Sequence, residues 1–245
     1  MHAIVTALAA ASFLAAAPEQ KPASIRVLIV TGYDYPGHKW QQTAPAVRDV
    51  LEKDRRFKVR IVEDPESLQS VAAADYDVVV LHFMNWKRPA PGEKARANLQ
   101  EFVQGGGGMV VLHFACGAFD DWPEFQNLAG RVWDKKTTHD PRGPFDVKIV
   151  NTEHPVTKGM KPFKADDELY FCLTGDRPIE VLATAHSKVK KKDYPMAFVF
   201  SYGKGRVFNT PLGHDVRAIT MPGVAELIRR GCAWTAGQPP TLSAK

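Results

Sequence analysis

The chain has 245 residues, of which 44% are hydrophobic and 24% charged. That composition excludes a disordered chain, and no stretch reaches the roughly 20 apolar residues of an internal membrane span. The net charge of +5 rests on one run, Lys188, Lys190, Lys191 and Lys192. Without it, 28 basic residues face 27 acidic ones, which speaks against a nucleic-acid partner.

Residues 3–17 are apolar and Ala-rich and end in Ala15-Ala16-Ala17, the small residues of a cleavage site. This predicts a signal peptide over 1–17, a polar linker over 18–24 and a periplasmic or secreted protein. The domain then spans 25–238, with a tail at 239–245. Cys116, Cys172 and Cys232 are odd in number and form no CxxC pair, so a disulfide framework is excluded and one bridge at most remains.

Ile25 to Thr31 is a near-continuous apolar run, as in a parallel strand buried on both faces. Trp40, Ala44, Val47 and Leu51 recur at helical spacing. Phe57 to Val62 alternates, as in a strand near a sheet edge. Tyr76 to His82 predicts a second buried strand. Ala95, Leu99, Phe102 and Val103 mark a helix ending at Gly105–Gly108, and Met109 to Phe114 the next strand. Further strands are expected at 145–150, 169–173, 179–184, 196–201 and 205–209, then a final helix to about Trp234. The Lys188–Lys192 run falls in a hairpin loop. This order predicts an α/β fold with an open, mostly parallel sheet.

The Gly105–Gly108 run follows a helix and precedes a strand, the reverse of a phosphate-binding loop, and is read as a helix cap and turn. The histidines carry more information. His38, His82, His113 and His214 all follow or end predicted strands, where open α/β sheets bind ligands. His139 and Asp140 lie in a long irregular stretch, 130–144. Imidazoles and carboxylates in one crevice suit proton transfer, sugar-hydroxyl binding or a divalent metal. His113, His139, His214 and Glu168 are the candidate catalytic residues. His38, His113, His139 and His214 are the candidate metal ligands, with zinc the favoured ion, although no HExxH pattern is present. Tyr33, His38, Trp40, His82, Trp86, Asp140, Tyr170 and Asp215 are candidate substrate contacts, the aromatic ones because their faces stack on sugar rings. Glu168 either orients a histidine, serves as an acid or base, or is an exposed loop acid.

Cys116 sits after a buried strand, where α/β enzymes mount a nucleophile on a tight turn. With Cys116 at the apex, the residue two before it is bulky Phe114. With Ala115 there, the apex carries no nucleophile. Neither register makes a clean elbow, and Cys116 is read as structural.

Thr31-Gly32, Tyr35-Pro36-Gly37-His38 with Trp40, Gly106 to His113, His139-Asp140-Pro141, His154-Pro155-Val156-Thr157, Asp167 to Tyr170, Gly203 to Phe208 and Gly213-His214-Asp215 form an ordered set. Together, over nearly all of residues 25–238, they resemble the ThuA-like, or trehalose-utilisation, family. The resemblance implies a class I glutamine amidotransferase-like fold, a flavodoxin-like sheet with helices on both faces. It also implies a role in metabolism of trehalose, related disaccharides or keto-sugars. Its register places Ala115 at the apex, and the downstream His–Glu pair of the amidotransferases is missing at recognisable spacing, so glutamine hydrolysis is not expected. The two functions carried forward are a sugar isomerase, lyase or hydrolase and a non-catalytic carbohydrate-binding protein. Either leaves a homo-oligomer open.

Overall fold

The first strand, β1 (Ile25–Val30), is apolar on both faces because it lies inside two cores. Ile25, Val27 and Ile29 enter one, and Leu28 and Val30 the other. The computed structural model describes residues 24–33, 37–72, 75–136 and 138–241. The expected signal segment 1–17, the linker up to residue 23, Tyr35-Pro36 and the last four residues lie outside the described residues.

After β1 come α1 (Trp40–Glu52), β2 (Phe57–Val62), β3 (Val78–Leu81), α2 (Glu93–Gln104) and β4 (Gly108–Leu112). The middle of the chain adds α3 (Glu124–Ala129), β5 (Val132–Trp133), β6 (Gly143–Ile149), β7 (Phe163–Asp167) and β8 (Leu173–Thr174). It closes with β9 (Glu180–His186), β10 (Asp193–Tyr202), β11 (Gly205–Thr210), α4 (Val216–Thr220) and α5 (Pro222–Thr235).

Nine strands form one sheet in the order β2-β1-β3-β4-β11-β10-β9-β6-β7. The pairings from β2 to β11 are parallel, and those from β11 to β7 antiparallel. The sheet is therefore mixed, not mostly parallel as expected. The reason is loop length: Gly203 and Lys204 alone join β10 to β11, and residues 187–192 join β9 to β10. Connections that short close only antiparallel pairs. Helices cover both faces: α1 and α5 pack into one core, α2 and α3 into the other. Strand β2 lies at the sheet edge, as its alternation predicts, and the Lys188–Lys192 run lies in the expected hairpin loop.

Two further expectations change. Residues 169–172 are not a strand, and only Leu173 of the expected segment is, opening β8: Leu169 to Cys172 are buried, but in irregular chain with one bridge from Tyr170 to His139. The strand lies upstream, in β7, whose Lys164 and Asp166 disguise it as a polar loop. Strand β4 ends at Leu112, and His113 begins a 3₁₀ turn, His113–Gly117.

Candidate functional site

The carboxyl ends of the parallel strands meet at one rim. Thr31, just past β1, donates its hydroxyl to the His82 carbonyl at 2.8 Å, which ties the exits of β1 and β3 together. The chain then turns at Gly32, with φ +117; a Cβ there would come within 2.0 Å of the Glu63 carbonyl oxygen. His38 follows in the approach to α1. His113 leaves β4 with φ +49, a left-handed conformation that costs a non-glycine residue on the order of 1–3 kcal/mol. The strained apex of this turn therefore carries an imidazole, rather than Ala115 or Cys116. His214 follows β11, in the loop capped at Asp215 by its side chain accepting from the Ala218 N–H.

These three imidazoles form a near-equilateral group. Ring centroids are 5.2 Å apart for His38–His113, 5.1 Å for His38–His214 and 5.4 Å for His113–His214. Glu168 completes it from the antiparallel half, just beyond β7. One ligand atom from each of His38, His113, Glu168 and His214 lies within 4.8 Å of all the others. Buried Asp167 connects the two halves. It accepts N–H bonds from Gly213 at 2.6 Å, His214 at 3.2 Å and Glu168 at 2.8 Å.

Protonation follows from these neighbours. His113 Nδ1 lies 2.7 Å from the Pro211 carbonyl, which only accepts, so Nδ1 carries the proton. Its Nε2 then accepts from the Tyr170 hydroxyl at 2.8 Å. Burial, with the nearby His38, holds His113 well below its ordinary pKa. Burial likewise pushes His38 down to about 4, with His214 adding to the effect. Both imidazoles are neutral at pH 7, the form that binds a metal. His38 is 7% exposed, and neither of its ring nitrogens has a hydrogen-bond partner. His214 Nδ1 lies 3.2 Å from Glu168 Oε2 but is not aligned for a hydrogen bond. Burial pushes Glu168 up, but the adjoining His214 outweighs it and holds the carboxyl below its usual range. Glu168 in turn raises His214.

His139 stands at the edge of this group. Its Nδ1 lies 2.7 Å from the Asp140 carbonyl, which fixes the proton there. Its Nε2 lies 3.7 Å from Glu168 Oε1. The cavity beside the cluster has a volume of about 390 Å³ and is walled by Trp86, Trp133, Thr138, His139, Tyr170 and Met84, with His38, Glu168 and His214 at its base.

The ThuA family profile, described as trehalose utilisation, matches residues 26–235. The chain belongs to the ThuA family. A ThuA-like protein from Parabacteroides merdae is similar at 26% identity and TM-score 0.80, over 91% of this chain and 94% of that one. A second, from Bacteroides uniformis, shares the fold at 20% identity and TM-score 0.70, over 92% and 98% of the two chains. A beta-galactosidase from Bacillus circulans shares it at 14% identity and TM-score 0.58, over 93% of this chain but 33% of that one. No curated protein matches the chain.

For this ThuA protein, the geometry brings together His38, His113, His139, Glu168 and His214, with Trp86 and Tyr170 on the wall. Glu168, rather than His139, is the fourth member of the donor group. The other expected contacts do not line the cavity. Tyr33 packs edge-on against Phe83 and under Arg88. Trp40 opens α1. His82 is fully buried behind Phe114 and bonded to Thr43. Asp140 is turned to the basic hairpin, where it accepts from Ser187, Lys188 and Val189. Asp215 caps α4 and pairs with Arg142 at 2.7 Å. Trp133, Thr138 and Met84 on the wall, and Asp167 behind it, escaped the sequence reading. Only Asp167, next to Glu168 in an acidic triplet, carried any signal.

Proposed function

We propose that the cavity binds a sugar or keto-sugar beside a divalent metal held by His38, His113, Glu168 and His214, and moves a proton on that sugar. The parallel-strand order β2-β1-β3-β4-β11 supports a flavodoxin-like scaffold of the amidotransferase type, with the ligand outside the strand ends.

The observation that carries the proposal is the donor group itself. Two nitrogens of a buried imidazole without partners are costly, about 1–3 kcal/mol each, unless something binds them. A tetrahedral zinc with bonds near 2.0–2.1 Å places its ligand atoms roughly 3.4 Å apart. The group must therefore contract by about an ångström, within the reach of side-chain rotation. The His113 Nδ1–H bond to Pro211 presents Nε2 as the ligand atom, and Tyr170 has only to turn its hydroxyl away. The ion supplies Lewis-acid polarisation of a carbonyl or hydroxyl oxygen.

The chain supplies the rest. His139, anchored through Nδ1–H to the Asp140 carbonyl, turns its Nε2 toward the cavity as the base. Tyr170, once its hydroxyl is released from His113 Nε2, presents that hydroxyl from the cavity wall. Trp86 and Trp133 give a sugar ring apolar faces to lie on. Glutamine hydrolysis has no support, since the elbow presents an imidazole and Cys116 is buried. Elemental analysis of the purified protein, with hydrogen–deuterium exchange into keto-sugars, tests the reading. One ion per chain and metal-dependent exchange alpha to the carbonyl are expected. A metal-free protein that takes up no added zinc overturns the metal. Sugar binding without exchange leaves the non-catalytic binding protein.

A further inference from the structure

We propose that Asp140 is a positioning residue for His139. Its carboxylate, gripped by the basic hairpin loop 187–192, aims its own main-chain carbonyl at the imidazole and so keeps the proton on Nδ1 and Nε2 toward the cavity. The inference rests on the reading of His139 as the base, and gives the hairpin a part in that site.

The hairpin closes without Asp140. The Ser187 N–H donates to the Lys192 carbonyl at 3.0 Å, and the Lys191 N–H to the Ser187 carbonyl at 2.9 Å. Inside this turn a set of donors converges, and one carboxylate fills it. Asp140 accepts from the Ser187 hydroxyl at 2.6 Å, the Lys188 N–H at 2.6 Å and the Val189 N–H at 3.3 Å. Successive main-chain N–H groups in a turn form such a nest for an anion. Ser187 Oγ accepts from the Lys190 N–H at 2.9 Å, which leaves its own proton for Asp140. Ser187 is fully buried and Asp140 6% exposed.

The hairpin is in turn fixed to the walls of the site. Lys188 Nζ donates to the Pro144 carbonyl at 3.1 Å, and Lys190 Nζ lies 5.0 Å from the ring centre of Phe171, the neighbour of Tyr170. On the other side the Asp140 N–H donates to the Leu169 carbonyl at 2.9 Å. Asp140 also precedes Pro141, which confines it to extended backbone. With its N–H, its carboxylate and its backbone all held, its carbonyl is directed at His139 Nδ1, 2.7 Å away. The His139 side chain is 29% exposed, so without that bond water could satisfy either nitrogen. The acceptor on Nδ1 decides which nitrogen of the neutral ring carries the proton.

The test reads the His139 tautomer in long-range proton–nitrogen spectra of nitrogen-15-labelled, metal-free protein at alkaline pH, with the ring assigned by a His139→Gln variant. The parent should show the proton on Nδ1. Asp140→Ala should give a mixture of tautomers, and Ser187→Ala, which keeps the carboxylate and its N–H donors, a smaller shift the same way. Lys191→Gly, which keeps the nest, should match the parent. In keto-sugar exchange, Asp140→Ala should lower the rate constant at least tenfold and leave sugar affinity within about twofold. If Asp140→Ala does not fold, Ser187→Ala decides alone. An unchanged tautomer in every folded variant overturns the positioning role, whatever the activity. A shifted tautomer in a protein whose parent exchanges no keto-sugar keeps the positioning role and overturns His139 as the base.

Discussion

The Asp167 carboxylate grips the backbone of His214, accepting its N–H at 3.2 Å and that of Gly213 at 2.6 Å. Asp167 ends β7 in the antiparallel half, whereas His214 follows β11 from the parallel half. This one buried side chain sets where Glu168 stands relative to the imidazoles.

Asp167→Asn replaces one acceptor oxygen with an amide that opposes those N–H donors. A loss of about 1–3 kcal/mol in unfolding free energy is expected. Zinc affinity should fall roughly 10–100-fold, the usual effect of losing support behind a ligand. Chelator competition and urea unfolding read the two separately. Unchanged affinity would mean that the loop holds its shape without Asp167.

His38→Leu separates function from stability. The variant removes two unpartnered buried nitrogens, so the metal-free protein should be as stable as the parent or more so. The parent should gain about 2.7 kcal/mol at zinc concentrations of 100 times Kd, and the variant should gain almost nothing. Thermal unfolding with and without zinc measures both effects.

The metal-free protein should lose stability as the medium is acidified. His38 is held at about 4 and His82 at about 3, both first by burial, against about 6.5 in an unfolded chain. Below about pH 6.5 the unfolded chain binds more protons, so stability present above that value is lost as pH falls toward 4. Asp167, raised to about 6 by burial, acts in the opposite sense below that pH, as does His214, raised by Glu168, near and above neutrality. His38, His82 and His113, with His154 also lowered by burial, outweigh them in the acid window. Urea midpoints at pH 7.5, 6 and 5 should fall in that order, and a rise at pH 5 would contradict the assignment.

Cys116→Ala should retain sugar chemistry in full. The thiol is 1% exposed, and burial pushes its pKa up, so little thiolate exists at neutral pH. The expected loss is a stability decrement of about 1 kcal/mol for the vacated volume. Rapid alkylation of Cys116 with matching loss of activity would reverse its structural role.

Export with removal of residues 1–17 is expected from the apolar run and its Ala-x-Ala ending. N-terminal sequencing of natively expressed protein decides it. A chain beginning at Met1 in the cytosolic fraction would make that segment a tail.

The sequence alone determined the parallel half of the fold, because runs such as Ile25–Val30 and the helical spacing of Trp40, Ala44, Val47 and Leu51 record local burial. It also placed four histidines at strand ends, since a strand's exit is marked where its apolar run stops. Tertiary structure decided which of them meet. His82 shares the strand-end position of His113, yet the rim turns it behind Phe114 and against Thr43. Glu168 could not be assigned a place from spacing, because charged β7 hides its strand and Asp167 docks it by a contact 46 residues away in the chain. The antiparallel half was underestimated for the same reason: pairing partners depend on loop closure and register, which residue patterns along one strand do not encode. The anchor of His139 lay further still from the sequence, because Asp140 and Ser187 come from separate segments and meet only when those segments pack.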